Sequence, residues 1–360
     1  MAPGAEWPLV LLPGAVLAAV VALCWMLPNV SPPGVLFGVT VGPAAAEGRE
    51  GARAIRLYRL ALLLGVWAPV LLWALGLSRR SVAWLVVAAL ALVPEILVAY
   101  LVGHARARAL RPPGPVSPPG SAGPAPSPVL AAERPPGRSI GRTLLGALGY
   151  LLLAASMLWL AAAYRSLPDP FPVHAGASGQ PDRWAPKSPA VVFLAPAIGL
   201  GLMLFLELIR RLLRSPRLVH AGAYASRSAR SVDTLLLVVQ LFLGALLSLV
   251  ALGTAGILPG WVLLAGALAA PLVLLCFLVG FVARLARERR DWPPHGDGLP
   301  DAAWKLGLVY FNAADPALLV PRRFGVGWTL NFARPAAWAL LALLLGVPLS
   351  LALSARLIVR

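Results

Sequence analysis

The sequence predicts an all-α polytopic membrane protein of about eight transmembrane helices, with a small cytoplasmic β-hairpin or meander before the last helix. Three observations carry this. Of 360 residues, 59% are hydrophobic and only 12% charged, about half the charge of an ordinary soluble domain. Apolar runs of roughly 20 residues recur along the chain, the length that spans a bilayer. The 31 Lys and Arg residues are distributed unevenly between those runs. The runs are apolar all round, whereas barrel strands alternate. In lipid, a backbone that is not a closed barrel can satisfy its own hydrogen bonds only as a helix.

The expected spans are 8–28, 57–77, 82–103, 143–164, 190–209, 233–253, 261–283 and 335–354. The first reads as a retained span rather than a cleaved leader. Only Glu6 is charged before it, and no small-residue cleavage site follows "CWMLPNV". Four alternate loops, at 29–59, 104–142, 210–232 and 284–334, hold 24 of the basic residues, and the remaining segments hold 7. Loops rich in Lys and Arg stay cytoplasmic. Both termini are therefore expected to be extracytoplasmic.

The net charge of +17 then reads as loops that anchor topology and meet anionic lipid headgroups. No folded basic domain or basic patch interleaved with aromatics is apparent, so nucleic acid is not an expected partner. Arginine predominates, with Lys187 and Lys305 the only lysines, and Ala, Gly and Pro are abundant. That bias points to a GC-rich bacterial genome and hence a bacterial plasma membrane. Cys24 and Cys276 fall inside spans and read as small apolar residues. No disulfide, zinc or cofactor pattern is present.

Four segments follow. Residues 1–104 hold three spans, 105–142 form a proline-rich cytoplasmic linker expected to be disordered, 143–283 hold four spans, and 284–360 hold a β module and the last span. In the module, "LGLVYF", "ALLV" and "FGVGWTLNF" are short strand candidates separated by the turn "NAADP". Asn312, Asp315 and Pro316 are its turn-makers. "GVLFGVTVG", after the first span, repeats the "FGV" core and is expected on the same side, where it could supply a further strand.

Candidate sites fall in three places. The outer loop 165–189 carries His174, Asp182, Arg183 and Lys187. Pro168, Pro170 and Pro172 extend its entry, and Gly176 and Gly179 permit it to turn back. A His–Asp pair there could orient an imidazole, bind a cation or sense pH. Three readings stay open: a structural connector, recognition of an extracellular peptide or envelope component, and a metal or catalytic site. Zinc asks for three or four ligands, more than this loop offers, and Ser178 lacks a nucleophile elbow. Within the bilayer, Glu95 follows Pro94 in the third span, and Gln240 in the sixth is its candidate partner. Such a carboxylate usually faces the bundle interior or water. Glu207 has Arg210 and Arg211 three and four residues later, the spacing of helix-surface ion pairs. In the inner module, Trp328, Asn331 and Arg334 form a candidate partner-binding surface, with Trp304 and Trp338 as interface tryptophans.

"YRSLPDPFPVHAGASGQPDRWAPKS" resembles the signature of the domain of unknown function 1648, which recurs in bacterial multi-pass membrane proteins including SdpI-type immunity proteins. Leu167, Pro168, Pro172, His174, Gly179, Asp182 and Lys187 fill its pattern. "YFNAADPALLVPRRFGVGWTLNFARP" resembles a second uncharacterised module found at the C-terminus of such proteins. The resemblance implies a setting in envelope stress or immunity to a toxic peptide. The expected function is membrane-embedded binding or signalling through the outer loop. The alternative is a small-solute or proton-coupled transporter using Glu95. No enzyme is expected, for want of paired carboxylates, a phosphate-cradling loop or a metal cluster.

Overall fold

The chain is described by a computed structural model that covers residues 7–79, 81–112, 140–175, 180–220, 223–289, 297 and 299–358. Among the described residues, seven helical segments are long and apolar enough to cross a membrane. α1 (Trp7–Met26) leads into the short hairpin β1 (Val35–Leu36) and β2 (Val39–Thr40), then α2 (Pro43–Glu47), α3 (Arg49–Gly65) and α4 (Trp67–Ser78). The expected span 57–77 is thus two helices meeting at Val66, and the helical run begins earlier, at Arg49. Pro69 explains the seam. It has no N–H to offer the Gly65 carbonyl four residues back, and its ring crowds that carbonyl.

α5 (Val82–Ala109) runs six residues beyond its expected end and into the stretch read as linker. The remaining linker, 113–139, lies outside the described residues. Then come α6 (Ile140–Ala163), the hairpin β3 (Phe171–Ala175) and β4 (Pro181–Ala185), α7 (Pro189–Val192), α8 (Leu194–Leu213), α9 (Ala223–Thr254) and α10 (Gly260–Glu288). The hairpins β5 (Trp304–Lys305)–β6 (Val309–Tyr310) and β7 (Leu319–Pro321)–β8 (Trp328–Leu330) precede α11 (Pro335–Ile358).

α8 is the eighth expected crossing. It is 20 residues long, and Glu207, Arg210 and Arg211 near its end set it apart from the seven more apolar segments. Its packing places it among them. Tyr150 of α6 donates to the Met203 carbonyl of α8 (3.1 Å), and Leu153 lies against Gly199. As the α6 number rises the α8 number falls, so the two helices are antiparallel. Arg142 and Gly149 of α6 meet Asp233 and Gly244 of α9, so those two are parallel. Three successive helices therefore run up, down and up.

The α6–α9 seam is built from small residues, as bilayer helix contacts are. A Cβ on Gly244 would lie 2.3 Å from the Gly149 carbonyl oxygen. Backbone cannot give way as a flexible side chain can. Gly244→Ala is therefore expected to cost about 1–3 kcal/mol, read as a lower midpoint of thermal unfolding in detergent. Gly280→Ala, where a Cβ meets nothing within 4 Å, is the control expected to leave it unchanged.

This alternation puts the β elements at opposite ends of the bundle. Phe171 and Ala185 of the β3–β4 hairpin pack with Leu160 of α6, Ala251 of α9 and Ala255 just beyond its end. Leu318, Leu319 and Leu330 of the later module pack with Leu213 of α8 and Val232 of α9, at the other end.

The expected hairpin or meander is two two-stranded hairpins, β5–β6 and β7–β8, with a bridge between Tyr310 and Asn331. The β1–β2 segment lies against this module, as its side predicted, but pairs only with itself. The physical reason is in the turns. Phe37 and Gly38 have φ of 45° and 78°, and Leu306 and Gly307 of 51° and 68°. Successive left-handed residues close tight primed hairpins, and the two tips abut. A Cβ on Gly38 would lie 2.4 Å from the Gly307 Cα. The contact is tip to tip, so the strands never lie alongside. Tyr100 of α5 donates to the Leu306 carbonyl (2.7 Å), and His104 Nδ1 donates to the Phe37 carbonyl (2.8 Å). Phe37, Tyr58, Tyr100 and Phe324 pack beside them at ring separations of 4.9–6.3 Å, mostly tilted or edge-on, locking the N-terminal helices to the module.

Candidate functional site

At the end of the bundle remote from the module, β3 and β4 pair antiparallel, with Phe171 opposite Ala185 and His174 opposite Arg183. Buried Phe171 roots the hairpin in the bundle. His174 is exposed while Val173 packs against the apolar cluster below, and the strand register shifts on either side of His174. His174 Nδ1 stands 2.5 Å from Asp182 Oδ1, with both side chains about half exposed. The pair occupies Nδ1. Arg183 is exposed beside it.

Lys187 is not part of this group. Its ammonium donates to the Leu167 carbonyl (2.8 Å) and stands 5.7 Å from the centre of the Tyr164 ring, while its backbone N–H donates to Asp169 (3.1 Å). The four outer candidates thus resolve into a tip (His174, Asp182, Arg183) and a base (Lys187). Gly176, Ser178 and Gly179 lie outside the described residues. Lys187→Met is expected to cost about 1 kcal/mol, that of a part-exposed charged hydrogen bond. It should speed amide exchange in β3 and β4 without separating His174 from Asp182.

Within the bundle, the expected Glu95–Gln240 pairing is replaced by two unrelated environments. Glu95 is half-buried against α3, where a Cβ on Gly65 would lie 2.7 Å from its Oε2. Gln240 is fully buried between α6, α8 and α9. It accepts from Arg210 (3.0 Å) and donates to the Met203 carbonyl (3.0 Å) and the Tyr150 hydroxyl (3.4 Å). A cleft of about 660 Å³ between α1 and α4 is lined by Gly14, Leu17, Val66 and Trp73 among others. It is apolar, and Glu95 is not among its lining residues.

Glu207 belongs to a larger construction than the helix-surface pair its spacing predicts. Arg210 donates to Glu207 (2.6 Å) and to buried Asp233 (3.0 Å), Arg214 donates to Asp233 (2.7 Å), and Arg142 donates to its other oxygen. Arg211 reaches Glu207 at 3.4 Å. The participants come from three helices, as far as 91 residues apart. Reading the sequence missed this node, although Asp233 at the head of a span, just after six arginines in 210–232, was the available signal.

A second ionic centre, also missed, holds the module together. Arg323 is fully buried and donates to Asp297, Asp301 and the Leu299 carbonyl, with its guanidinium 5.2 Å from the Trp304 ring centre. Burial alone would lower the Arg323 guanidinium, but the Asp297 and Asp301 carboxylates outweigh it and hold its pKa above the ordinary arginine value. Asn331, read as part of a partner-binding surface, is fully buried instead. Its amide donates to the Asn312, Asp315 and Ala317 carbonyls and accepts from the Asn312 N–H. It is an internal clip with no surface to offer. Arg334 donates to the Asp315 carbonyl (3.2 Å), and Trp328 is half-buried. Asp315 is more than a turn-maker, since it receives the Tyr310 hydroxyl (2.9 Å) and faces His220 (3.1 Å). Burial pushes Tyr310 up to about 12. Among the described residues no group of three or more His, Cys, Asp or Glu is placed to hold a metal ion.

Apolar helices long enough to cross a bilayer, carrying hairpins at both ends, define a multi-pass membrane protein. Residues 151–200, which contain the β3–β4 hairpin, match the family model described as a domain of unknown function (DUF1648). Residues 314–338, from the Asp315 turn into α11, match a family of unknown function (DUF5808). No curated protein and no solved structure matches the chain.

Proposed function

We propose that this is a bacterial plasma-membrane protein of binding, signalling or immunity type, with no enzymatic activity of its own. It recognises an envelope-active ligand through the outer loop 165–189. The observation that carries the reading is the exposed His174–Asp182 pair, raised on a hairpin whose base is fixed in the bundle. A rigid base under exposed, unspent polar groups suits recognition, whereas a connector would bury or saturate them. The ligand offers an anionic or hydrogen-bonding group to His174 and Arg183. The basic loops lie on the cytoplasmic side against anionic lipid headgroups, and both termini lie outside. Transport through Glu95 is the weaker reading, because the cleft between α1 and α4 is apolar and does not include it.

The test is genetic. Cells lacking the protein are complemented with the wild type, His174→Ala, Asp182→Asn or Glu95→Gln, then challenged with a panel of envelope-active peptides and antibiotics. The reading requires at least one agent against which the wild type protects and both variants do not. Full protection by both variants would remove the outer hairpin from the function. Loss confined to Glu95→Gln would favour transport.

A further inference from the structure

The β1–β2 and β5–β6 hairpins close through turns of one kind, but packing accounts for only one of them. Phe37 and Leu306, each followed by a glycine, take φ of 45° and 51°. Asn, Asp or Gly suits such positions. For a bulky side chain a positive φ is an outlier that its surroundings must offset. Phe37 has that offset inside the protein, buried among Tyr58, Tyr100 and Phe324. Leu306 is 56% exposed, so the packing that holds Phe37 does not explain it.

The face around Leu306 is apolar as well. Trp304 and Tyr310, paired across β5 and β6, are buried, with Trp304 against Arg323. Lys305 and its partner Val309 are exposed instead, as is Phe311. Such a patch marks contact with a protein or with a membrane, and depth decides between them. The Leu306 carbonyl accepts from Tyr100 (2.7 Å). Tyr100 lies 18 residues beyond Val82, where α5 begins, and inside the apolar segment Ala83–Ala109. That is about 27 Å along the helix at 1.5 Å per residue, against a hydrocarbon layer of about 30 Å. Leu101 and Val102 beside it are exposed, as lipid-facing side chains are. Just past β6, the Tyr310 carbonyl accepts from the Phe332 N–H (3.0 Å), three residues before α11 begins at Pro335. The hairpin thus runs between two places where spans meet headgroups.

We propose that Leu306, Val309 and Phe311 form a membrane anchor that dips into the acyl chains of the adjoining leaflet. Lys305, on the same face, reaches back to the headgroups. The bilayer supplies for Leu306 the apolar surroundings that Tyr58, Tyr100 and Phe324 supply for Phe37. The anchor fixes the depth at which the β5–β8 module sits, and it does not depend on what the β3–β4 hairpin recognises.

The test is fluorescence quenching of the full chain carrying Cys24→Ala/Cys276→Ala, reconstituted in vesicles of phosphatidylcholine and phosphatidylglycerol. A bimane label is placed at Leu306→Cys or Phe311→Cys. Leu101→Cys is the lipid-facing reference. Arg108→Cys, exposed and about 12 Å further along α5 than Tyr100, is the aqueous one. Lipids brominated on their acyl chains should quench both hairpin labels as strongly as Leu101→Cys and severalfold more than Arg108→Cys, while iodide in the water should do the reverse. Iodide quenching equal to that of Arg108→Cys would overturn the anchor. Shielding from both quenchers would also overturn it, in favour of a second copy or another protein covering the face. Leu306→Asn keeps a residue suited to the left-handed turn, so it should not lower the midpoint of thermal unfolding in detergent. Combined with labelled Phe311→Cys, it should weaken acyl-chain quenching severalfold. A lowered midpoint would mean that Leu306 packs within the protein, and unchanged quenching that it does not hold the hairpin in the bilayer; either overturns its role. Both leaflets carry the brominated lipid, so the result is independent of which side the module faces.

Discussion

Arg323→Met is expected to destabilise the inner module by about 3–5 kcal/mol, because it leaves the Asp297 and Asp301 carboxylates beside an apolar side chain in place of their partner. The module has little with which to offset this. Its strands are two or three residues long, and Arg323 also contacts the Leu299 and Gly38 carbonyls. One side chain thus links the segment before β5, the β1–β2 turn and the loop after β7. Thermal unfolding in detergent, followed by tryptophan fluorescence, measures the loss. Asp297→Asn/Asp301→Asn added to Arg323→Met should recover part of it, since no unpaired charge then remains. A loss below about 1 kcal/mol, the range of a surface pair, would mean the centre is hydrated.

Asp233→Asn is expected to be comparably costly, about 3–5 kcal/mol, with a different signature. It removes the carboxylate shared by Arg142, Arg210 and Arg214 and leaves buried Arg210 with Glu207 and Gln240. The damage should spread along the α6, α8 and α9 contacts rather than stay in the module. Hydrogen exchange should show faster amides in the inner halves of those helices, while β5 and β6 remain protected. Arg210→Gln in the same background should restore part of the stability by removing the stranded charge. If the single variant is neutral, the node is not buried in the membrane-embedded protein.

Architecture was readable because it rests on short-range signals. Apolar length marks a span, and that signal survives local error. Even the proline seam at Val66 was present in the position of Pro69. The ionic centres were hidden because their partners are distant in sequence. Asp233 is 91 residues from Arg142, and Arg323 is 26 from Asp297. Glu95 and Gln240 seemed natural partners only because both are polar residues within spans. Helix packing assigns one to α3 and the other to the α8 node. Asn331 and Lys187 show the reverse error. Polar residues in conspicuous loops read as ligands, yet each is occupied in satisfying backbone carbonyls that a short hairpin cannot satisfy itself. His174 and Asp182 escaped that fate because both stand exposed on the hairpin, and their pairing could be anticipated.

Opposite placement of the β3–β4 hairpin and the β5–β8 module is what the proposed function is built around. The direct measurement uses Cys24→Ala/Cys276→Ala protein with a single cysteine introduced by His174→Cys or Lys305→Cys, both exposed positions, and a membrane-impermeant maleimide on intact cells. The account predicts that His174→Cys labels at once and Lys305→Cys labels only after permeabilisation. Labelling of both from the same side would contradict the alternation of helices, and the reverse pattern would contradict the orientation drawn from arginine.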